Sequence, residues 1–577
     1  MILSTGRTDW TALAAREACL RETAPRKRMS NFIKILALFL PMSFLYFIVC
    51  MDRNVNPYDE GIILFGANRV MDGDIPHRDF YANYGPAQFY IVAALFKVFG
   101  PSVLIERCWD AVVRSVLAAL VFAVADRFTL RRVALVASAA SVTWLGYLGY
   151  YGYTAFPALA ASLVSLLFLI PPAGSPGLKL GPILAGGCMG IATLFRYDIG
   201  AAGFASGCAI LVLDKLLSQA DNPGWLPMIR ALLRFSLGFG IATIPGAILF
   251  TIHGAIPDLI FDAIIFPKEF YAKTRSLPFP TLASLHIWPM DFSIYIPFLA
   301  IIAAAATMFD IITAHRPIPG SGPQHGDRRL LMSIAALLLL TIVYAAKGSV
   351  RVSPIQISMA LIVSLILVSI LAQPFPTRRF VSRSVVTACV LLAATYTFFC
   401  SVDGLRRAAQ NVAWATKPGT WQFPATWPPP PEGTCRMPAG LDRLACFRVS
   451  PEMSETIRYV QGHTAIYEPI FIGLSRHDKI LANDVLLYFA INRRSATKWH
   501  HFDPGLQTSY LIQQEMVQEL QRTKPKLIVL ETKWADAHEP NDSANSSGVT
   551  LLDKYIEASF KPVAWFGPNT VLQAVSK

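Results

Sequence analysis

Acidic side chains lie in one polar segment near the start of the chain, where their carboxylates are candidates for proton transfer. Asp59 and Glu60 follow the first apolar run, and Asp79 lies beside Arg78 after a polar turn. A carboxylate is a common acceptor for the proton of an attacking hydroxyl group. The pair Asp59–Glu60 also fits a structural role, because a helix dipole favours a carboxylate in the first turn. The residue types leave both interpretations open.

Basic residues occur in separate polar segments further along the chain, where they are candidates for binding an anion. These segments are Arg196 to Asp198, Lys268 to Arg275, and Lys347 to Arg351. A cation at the end of an apolar helix is also a common anchor at a membrane interface, so each one alone has a structural interpretation. As a set, they can converge on one anionic group if the fold brings their segments together.

The elements that must position these side chains are long apolar runs, which recur from Phe32 to Cys400. The chain has 577 residues, of which 54% are hydrophobic and 15% are charged, whereas soluble proteins have about 25% charged residues. This pattern predicts a polytopic membrane protein. The net charge of +13 does not indicate nucleic-acid binding. The basic residues form short clusters between apolar runs, and in a membrane protein such clusters indicate on which side a connection lies. No RNA-binding signature accompanies them.

The basic clusters indicate which connections lie in the cytoplasm. The candidate spans are 32–50, 86–99, 108–125, 133–150, 154–171, 180–195, 198–214, 231–252, 293–313, 330–346, 355–372 and 384–400. If all of them cross the membrane, clusters such as Arg378–Arg379 fall outside, against the positive-inside rule. The run 86–99 is short and contains Lys97, so we interpret it as a helix at the outer interface. About 11 spans then remain.

This topology predicts three regions. They are a cytoplasmic tail at 1–31, a transmembrane domain at 32–400 whose outer loop 51–107 carries the acids, and an outer domain at 401–577. The expected fold class is therefore an α-helical polytopic membrane protein with about 11 transmembrane helices, outer juxtamembrane helices and a small C-terminal α/β extracytoplasmic domain.

The C-terminal domain is expected to begin with an irregular linker over 401–450. Strands are predicted at 466–474, 526–531, 561–566 and 570–575, and helices at 483–491 and 508–523. Cys435 and Cys446 are expected to form a disulfide if the domain is extracytoplasmic, the alternative being two free thiols. His500 and His501 are adjacent and are interpreted as surface residues.

The segment 57–107 carries an ordered set of motifs. The acidic pair is followed by G-D-I-P-H-R-D-F, then by Y-G-P opening an apolar helix that ends F-G, and then by an arginine entering the next span. This order resembles the GT-C superfamily of integral-membrane glycosyltransferases, in particular the protein O-mannosyltransferase, lipid A aminoarabinose transferase and lipopolysaccharide-core glycosyltransferase types. The resemblance covers 30–200, is looser to 400, and returns over 483–531, where N-R-R-S-A-T is followed by K-P-K-L-I-V.

The resemblance implies an inverting transfer of a sugar from a polyprenyl-phosphate donor to an acceptor hydroxyl. The acceptor is a glycolipid, a polysaccharide or a protein. Asp59 matches the position of the family's catalytic base, with Glu60 and Asp79 as alternatives. The phosphate is already a good leaving group, so it needs cations rather than a general acid.

A planar guanidinium matches phosphate oxygens, which favours arginine for holding the donor phosphate. The favoured residues are Arg196, Arg275 and Arg351. The residues expected to line the substrate cavity are Arg78, Asp198 and Lys268. No metal or other cofactor is assigned, although the acids of the outer loop leave a divalent cation as an alternative.

The membrane body also contains Asp110 and Arg114, four residues apart on one helix face, as an ion pair or as part of a cavity lining. Alternatives to an enzyme are a membrane transporter or flippase for a lipid-linked or sugar substrate, and a non-catalytic scaffold. The resemblance implies a bacterial inner membrane, with the N-terminus cytoplasmic and the C-terminal domain periplasmic. It leaves the sugar and the acceptor open.

Overall fold

The computed structural model describes residues 25–171, 178–217, 224–271, 274–281, 290–314, 325–374, 379–415, 442–444, 447–479, 482–502 and 505–575. Most of the predicted tail lies outside these ranges. So do Cys435 and Cys446, and the predicted disulfide therefore stays a prediction.

The membrane body is built from helices in chain order, and the predicted polytopic fold class is confirmed. Among the described residues, eight helices are long and apolar enough to cross a membrane, and Pro86–Phe99, Ala155–Leu169 and Gly181–Phe195 are shorter apolar helices. The helices are α1 Pro25–Val49, α2 Asp59–Met71, α3 Pro86–Phe99, α4 Val103–Ala125, α5 Arg131–Leu148, α6 Ala155–Leu169, α7 Gly181–Phe195, α8 Tyr197–Leu217, α9 Leu226–Ile252, α10 Ile256–Ile260, α11 Tyr295–Ala314, α12 His325–Gly348, α13 Pro354–Leu371 and α14 Phe380–Ala415.

Small residues let two of these helices approach closely. A Cβ added at Gly186 of α7 would lie 1.8 Å from the carbonyl oxygen of Phe235 in α9, and one added at Gly238 would lie 1.9 Å from the carbonyl oxygen of Ile183. Glycine at such contacts allows backbone-to-backbone packing, which is a main source of helix association in membranes. The close approach of α7 and α9 therefore depends on these glycines.

Helices α2 and α3 pack beneath the C-terminal domain. Phe96 of α3 stacks on Phe489 with ring centroids 5.7 Å apart, and the Leu486 amide donates to the Pro57 carbonyl at 2.9 Å. A side chain at Gly61 would clash with the backbone of Leu486. This packing supports the interpretation of the run 86–99 as a helix outside the membrane body, while the count of about 11 spans stays a prediction.

Both alternatives for Asp110 and Arg114 are seen in the structure, since the two residues pair with each other and also line a small cavity with Tyr151. The two side chains form a buried ion pair, and Arg114 also donates to the carbonyl oxygens of Leu145 and Tyr150. The guanidinium thus ties α4 to the end of α5 and the turn after it. A charge inside a membrane protein is tolerated when it is paired in this way.

The C-terminal domain contains a small mixed sheet, as predicted. The strand order is β1-β2-β4-β3, with β1 parallel to β2 and the other two pairs antiparallel. The strands are β1 Phe471–Leu474, β2 Leu527–Glu531, β3 Phe560–Phe566 and β4 Asn569–Ala574, and the helices are α15 Pro451–His463, α16 Val485–Ile491, α17 Tyr510–Thr523 and α18 Leu551–Ser559.

One boundary differs from the sequence prediction, because helix α14 continues through residue 401 to Ala415 instead of ending at an irregular linker. Asp403 pairs with Arg406 and Arg407 at helical spacing, and such pairs stabilise an exposed helix. The Asn411 amide then donates to the Val49 carbonyl at 2.8 Å. This bond anchors the extension to the end of α1.

The interpretation of His500 and His501 as surface residues is wrong. Their exposed fractions are 1% and 0%. His500 packs edge-on against Phe65 and Phe80, and His501 packs against Tyr81. Burial among these rings lowers the pKa of both imidazoles, which favours the neutral form. These two histidines are part of the contact between the outer loop and the C-terminal domain.

Candidate functional site

A cavity of about 540 Å³ opens at one end of the helical body. Residues of the outer loop 51–107, of the segment Arg196 to Asp198, of the loop after α9 and of the turn after α12 contribute to its wall, as does the turn between α5 and α6. Its lining residues are Tyr58, Asp59, Tyr81, Asn83, Tyr84, Tyr150, Tyr153, Arg196, Tyr197, Asp198, Asp262, Ala263, Phe266, Pro267, Arg275, Leu277, Lys347, Val350, Arg351, Ser353, Ile355 and Gln356. The cavity is thus aromatic and charged, and it differs in kind from the apolar core below it.

Asp59 is held in this wall by the turn that starts α2. The Asn56 side-chain oxygen accepts from the amides of Tyr58 and Asp59, both at 2.9 Å, and so fixes the first turn. The Asn56 amide group also lies 3.4 Å from the Asp59 carboxylate, to which the Tyr150 hydroxyl donates. Burial raises the pKa of Asp59 above its ordinary value, against the opposing effect of these hydrogen bonds.

Arg196 and Lys347 face one shared carboxylate. The backbone of Arg196 is extended and separates α7 from α8, and its Nε lies 3.2 Å from an Asp198 oxygen. The Lys347 Nζ at the end of α12 lies 3.1 Å from the other oxygen. Asp198 also accepts from the Ile199 amide at 2.9 Å, which orients it in the first turn of α8.

Arg275 and Arg351 face a second shared carboxylate, which comes from the C-terminal domain. Arg351 donates to both oxygens of Glu539, one of them at 2.7 Å, and Arg275 lies 3.4 Å from the same group. The two arginine segments are joined by the Leu277 amide, which donates to the Val350 carbonyl at 3.1 Å. The hydrogen bonds from Arg351 lower the pKa of Glu539 to about 2.

The cavity wall therefore carries more cations than bridging carboxylates. Four cations share two acids in these clusters. These four cations and two acids carry a net charge of +2, and Asp59 and Asp262 add two further carboxylates to the same wall. In a partly dry cavity such charges act more strongly than they would in bulk water.

Five of the residues selected from the sequence line this one cavity, namely Asp59, Arg196, Asp198, Arg275 and Arg351. Their segments are far apart in sequence, and the helix ends bring them together. Lys347, which shares a segment with Arg351, also lies in the wall.

The other selected residues lie elsewhere. Glu60 is 0% exposed and pairs with Arg107 at 2.6 Å, turned away from the cavity. Asp79 and Arg78 pair with each other at 2.7 Å, and the Asp79 carboxylate also accepts from the Ile75 amide at 2.7 Å. These contacts give Glu60 and Asp79 structural partners. Lys268 is exposed and is not part of the cavity wall.

A buried hydrogen-bonded group in the same wall was not selected from the sequence. The His77 Nδ1 lies 2.9 Å from an Asp262 oxygen, and its Nε2 lies 2.9 Å from the Tyr197 hydroxyl. His77 is the histidine of the G-D-I-P-H-R-D-F motif. A lone carboxylate between apolar residues in an outer loop was the signal available for Asp262. The sequence around Glu539 contains no comparable signal of a role in the site.

Within the described residues, no group of three or more His, Cys, Asp or Glu side chains is placed to hold a metal ion. The outer-loop acids weighed as metal ligands point in different directions, since Glu60 is committed to Arg107 and Asp79 to Arg78. Metal dependence is therefore still an open expectation.

The helical body, the outer helices and the small sheet domain define a polytopic membrane protein with a charged cavity at the mouth of its helices. The solved structure of ArnT from Cupriavidus metallidurans bound to undecaprenyl phosphate is similar, with a TM-score of 0.52 and 13% identity over 94% of this chain and 98% of that chain. The apo form of the same protein gives the same values. ArnT is the lipid A aminoarabinose transferase, a GT-C protein.

The likeness to ArnT establishes the fold. The archaeal oligosaccharyltransferase AglB from Archaeoglobus fulgidus, solved with an inhibitory peptide and a dolichol-phosphate, is more distant. Its TM-score is 0.44 at 10% identity, over 87% of this chain and 70% of that chain. No protein-family model matches the chain, and no curated protein matches it.

Proposed function

We propose that this protein is an inverting glycosyltransferase, which moves a sugar from a polyprenyl-phosphate donor to an acceptor hydroxyl at the outer face of the membrane. The observation that supports this most is the composition of one cavity, where the Asp59 carboxylate shares a wall with Arg196, Arg275, Lys347 and Arg351. A base for the acceptor and cations for the leaving group are the two requirements of such a transfer.

Asp59 is the proposed base. The acceptor oxygen forms a bond to the anomeric carbon, the bond from that carbon to the phosphate oxygen breaks, and the hydroxyl proton passes to Asp59. Burial raises the pKa of this carboxyl, which makes the ionised form a stronger base than an exposed aspartate. The Tyr150 hydroxyl and the Asn56 amide hold the carboxylate in place.

The cation clusters are proposed to hold the phosphate. A polyprenyl-phosphate sugar is a phosphodiester with one negative charge, and the departing monoester gains a further charge of about −0.5 to −1 near neutral pH. The four cations of the two clusters are available to bind this added charge. Their attraction to the phosphate strengthens as the bond to the sugar breaks, which lowers the barrier because it stabilises the charge that develops during the reaction.

Glu539 occupies part of this proposed phosphate site, since it forms bidentate hydrogen bonds with Arg351. A carboxylate is a planar anion that a guanidinium binds much as it binds a phosphate. We propose that the donor phosphate displaces Glu539 from Arg351 and Arg275. The ArnT structure with bound undecaprenyl phosphate supports a lipid phosphate as the natural ligand of this fold.

The remaining parts of the proposal follow from the same resemblance. The protein lies in a bacterial inner membrane, with its N-terminus cytoplasmic and its C-terminal domain periplasmic. The acceptor is a glycolipid, a polysaccharide or a protein. Neither a metal nor another cofactor takes part in the proposed chemistry.

The test is an assay of the purified full-length protein with a panel of undecaprenyl-phosphate sugars. Release of undecaprenyl phosphate is followed with and without a lipooligosaccharide acceptor, and the anomeric configuration of the product is read by NMR. Acceptor-dependent release with inversion supports the proposal. A folded protein that releases nothing from any donor contradicts it and favours a transporter or a scaffold.

A further inference from the structure

The wall of the cavity contains a carboxylate oxygen that lacks a partner. Asp262 is 1% exposed and lines the cavity. Within the part of the chain that the structure describes, its Oδ1 has no hydrogen-bond partner. Buried polar groups are almost always paired, since an unpaired one loses its hydrogen bonds to water without replacement. An unpaired carboxylate oxygen beside a cavity therefore indicates a ligand group that supplies the missing hydrogen.

The other oxygen of Asp262 already has two partners. Oδ2 lies 2.9 Å from the His77 Nδ1 and accepts from the Ala82 amide at 3.2 Å. Asp262 lies in a π-helical segment, Phe261–Ile265. Single π turns of this kind occur often at functional sites, because they re-aim a side chain.

The network also assigns the protons of its neighbours. An ionised carboxylate only accepts hydrogen bonds, so the Nδ1 of His77 carries a proton, and in the neutral imidazole its Nε2 is an acceptor. The Tyr197 hydroxyl, 2.9 Å from that Nε2, then donates to it. His77 has a φ of 73°, a conformation that a non-glycine residue rarely adopts without a positioning role. The chain Tyr197–His77–Asp262 thus holds the carboxylate rigidly.

We propose that Asp262 forms a hydroxyl-binding subsite of the cavity, in which its free oxygen accepts a hydrogen bond from a sugar hydroxyl of the substrate. A phosphate is excluded from this position by like charge, and a hydroxyl is the donor that sugars present. His77 and Tyr197 are positioning residues for this carboxylate. The subsite rests on the proposed transferase function. The hydroxyl belongs either to the transferred sugar or to the acceptor.

The test uses Asp262→Asn in the purified full-length protein. The asparagine oxygen must serve His77 and the Ala82 amide, so its NH₂ group replaces the acceptor in the cavity. Loss of one hydrogen bond to a charged group predicts a kcat/KM about 10- to 100-fold lower through a raised KM for one substrate. Whether the donor or the acceptor KM rises identifies the source of the hydroxyl. The Kd for undecaprenyl phosphate, which has no sugar, stays within about twofold.

The matched control is Asp310→Asn. Asp310 is another buried carboxylate, 4% exposed, which accepts from the Arg379 amide at 2.9 Å and is not part of the cavity wall. The Asp310→Asn variant should leave the KM values for the donor and for the acceptor unchanged. If Asp262→Asn fails to fold, Tyr197→Phe carries the test, because it keeps the ring and removes the hydroxyl. It should raise the same KM about threefold.

The outcomes separate the two proposals. An active wild type whose KM values are unchanged by both Asp262→Asn and Tyr197→Phe overturns the subsite alone. A raised Kd for undecaprenyl phosphate in Asp262→Asn also overturns it, because the defect then lies in the whole cavity. A wild type that transfers no sugar from any donor overturns the proposed function and the subsite with it.

Discussion

Replacing Glu539 by glutamine should strengthen the binding of undecaprenyl phosphate. Glu539 holds Arg351 by bidentate hydrogen bonds and lies 3.4 Å from Arg275. The Asn541 amide donates to Glu539 at 3.0 Å and to the Ser276 carbonyl at 3.2 Å, so the local backbone remains tied without the charge. The substitution removes one negative charge from the proposed phosphate site and keeps its shape.

The size of the effect follows from the pKa of Glu539, which its arginine partners lower from 4.5 to about 2. At about 1.4 kcal/mol per unit, this shift corresponds to at most about 3.5 kcal/mol. The carboxylate is 27% exposed, and solvent screening reduces the interaction to about 1–2 kcal/mol. We therefore expect a Kd for undecaprenyl phosphate about 5- to 30-fold lower in Glu539→Gln.

The assay is calorimetric titration of undecaprenyl phosphate into the purified protein in detergent at pH 7, where Glu539 is ionised. Glu557→Gln is the matched control, since it removes the same charge from an exposed position on α18 and should leave the Kd unchanged. Equal or weaker binding by Glu539→Gln would refute the displacement of Glu539 by phosphate. It would show instead that Glu539 positions the arginines for the lipid.

Further predictions concern folding. Glu60→Gln leaves a buried guanidinium without its charged partner and should destabilise the protein by about 3–5 kcal/mol, seen as a large fall in Tm and in folded yield. Gly61→Ala places a Cβ 2.6 Å from a backbone nitrogen of the C-terminal domain and should cost about 1–3 kcal/mol. Gly462→Ala, with nothing within 4 Å of its added Cβ, should leave Tm unchanged or raised. Burial raises the pKa of Asp484 to about 8 and that of Glu531 to about 7. Their protonated forms therefore stabilise the fold at low pH, and this stability is lost as the pH rises from about 4 to about 8. Asp484→Asn should flatten the fall in Tm over that range, and an unchanged slope would contradict the assignment.

The location of the site was predictable because membrane topology constrains it strongly. The positive-inside rule placed the segments of Arg196, Arg275 and Arg351 on the same side as the outer loop, and the structure gathers all of them around one cavity. The number of membrane crossings before each segment decides on which side of the membrane that segment lies. This part of the prediction therefore does not depend on the contacts between side chains.

The choice between neighbouring residues was not predictable in the same way. Asp59 and Glu60 are adjacent at the start of α2, where successive side chains point about 100° apart. One therefore faces the cavity and the other faces Arg107 in α4. Both residues are acidic, so the sequence pattern alone does not distinguish their roles. Only the placement of α4 separates a candidate base from a buried structural partner.

Contacts made by the C-terminal domain were also beyond the sequence pattern. Alternating hydrophobicity located its strands and helices. It did not show that Glu539 reaches Arg351, 188 positions earlier in the chain, or that His500 and His501 are buried against the outer loop. The extension of α14 to Ala415 was missed for a similar reason. Its stability comes from charge pairs and from an anchor on α1, not from an apolar run.

The central claim is that Asp59 removes the acceptor proton in a cavity whose cations hold a lipid phosphate. The most direct test compares Asp59→Asn with the wild type for transfer from undecaprenyl-phosphate sugars and for binding of undecaprenyl phosphate. We predict a transfer rate at least about 100-fold lower, with Kd within about threefold and an unchanged Tm. Near wild-type turnover by a folded Asp59→Asn protein would contradict the assignment of the base.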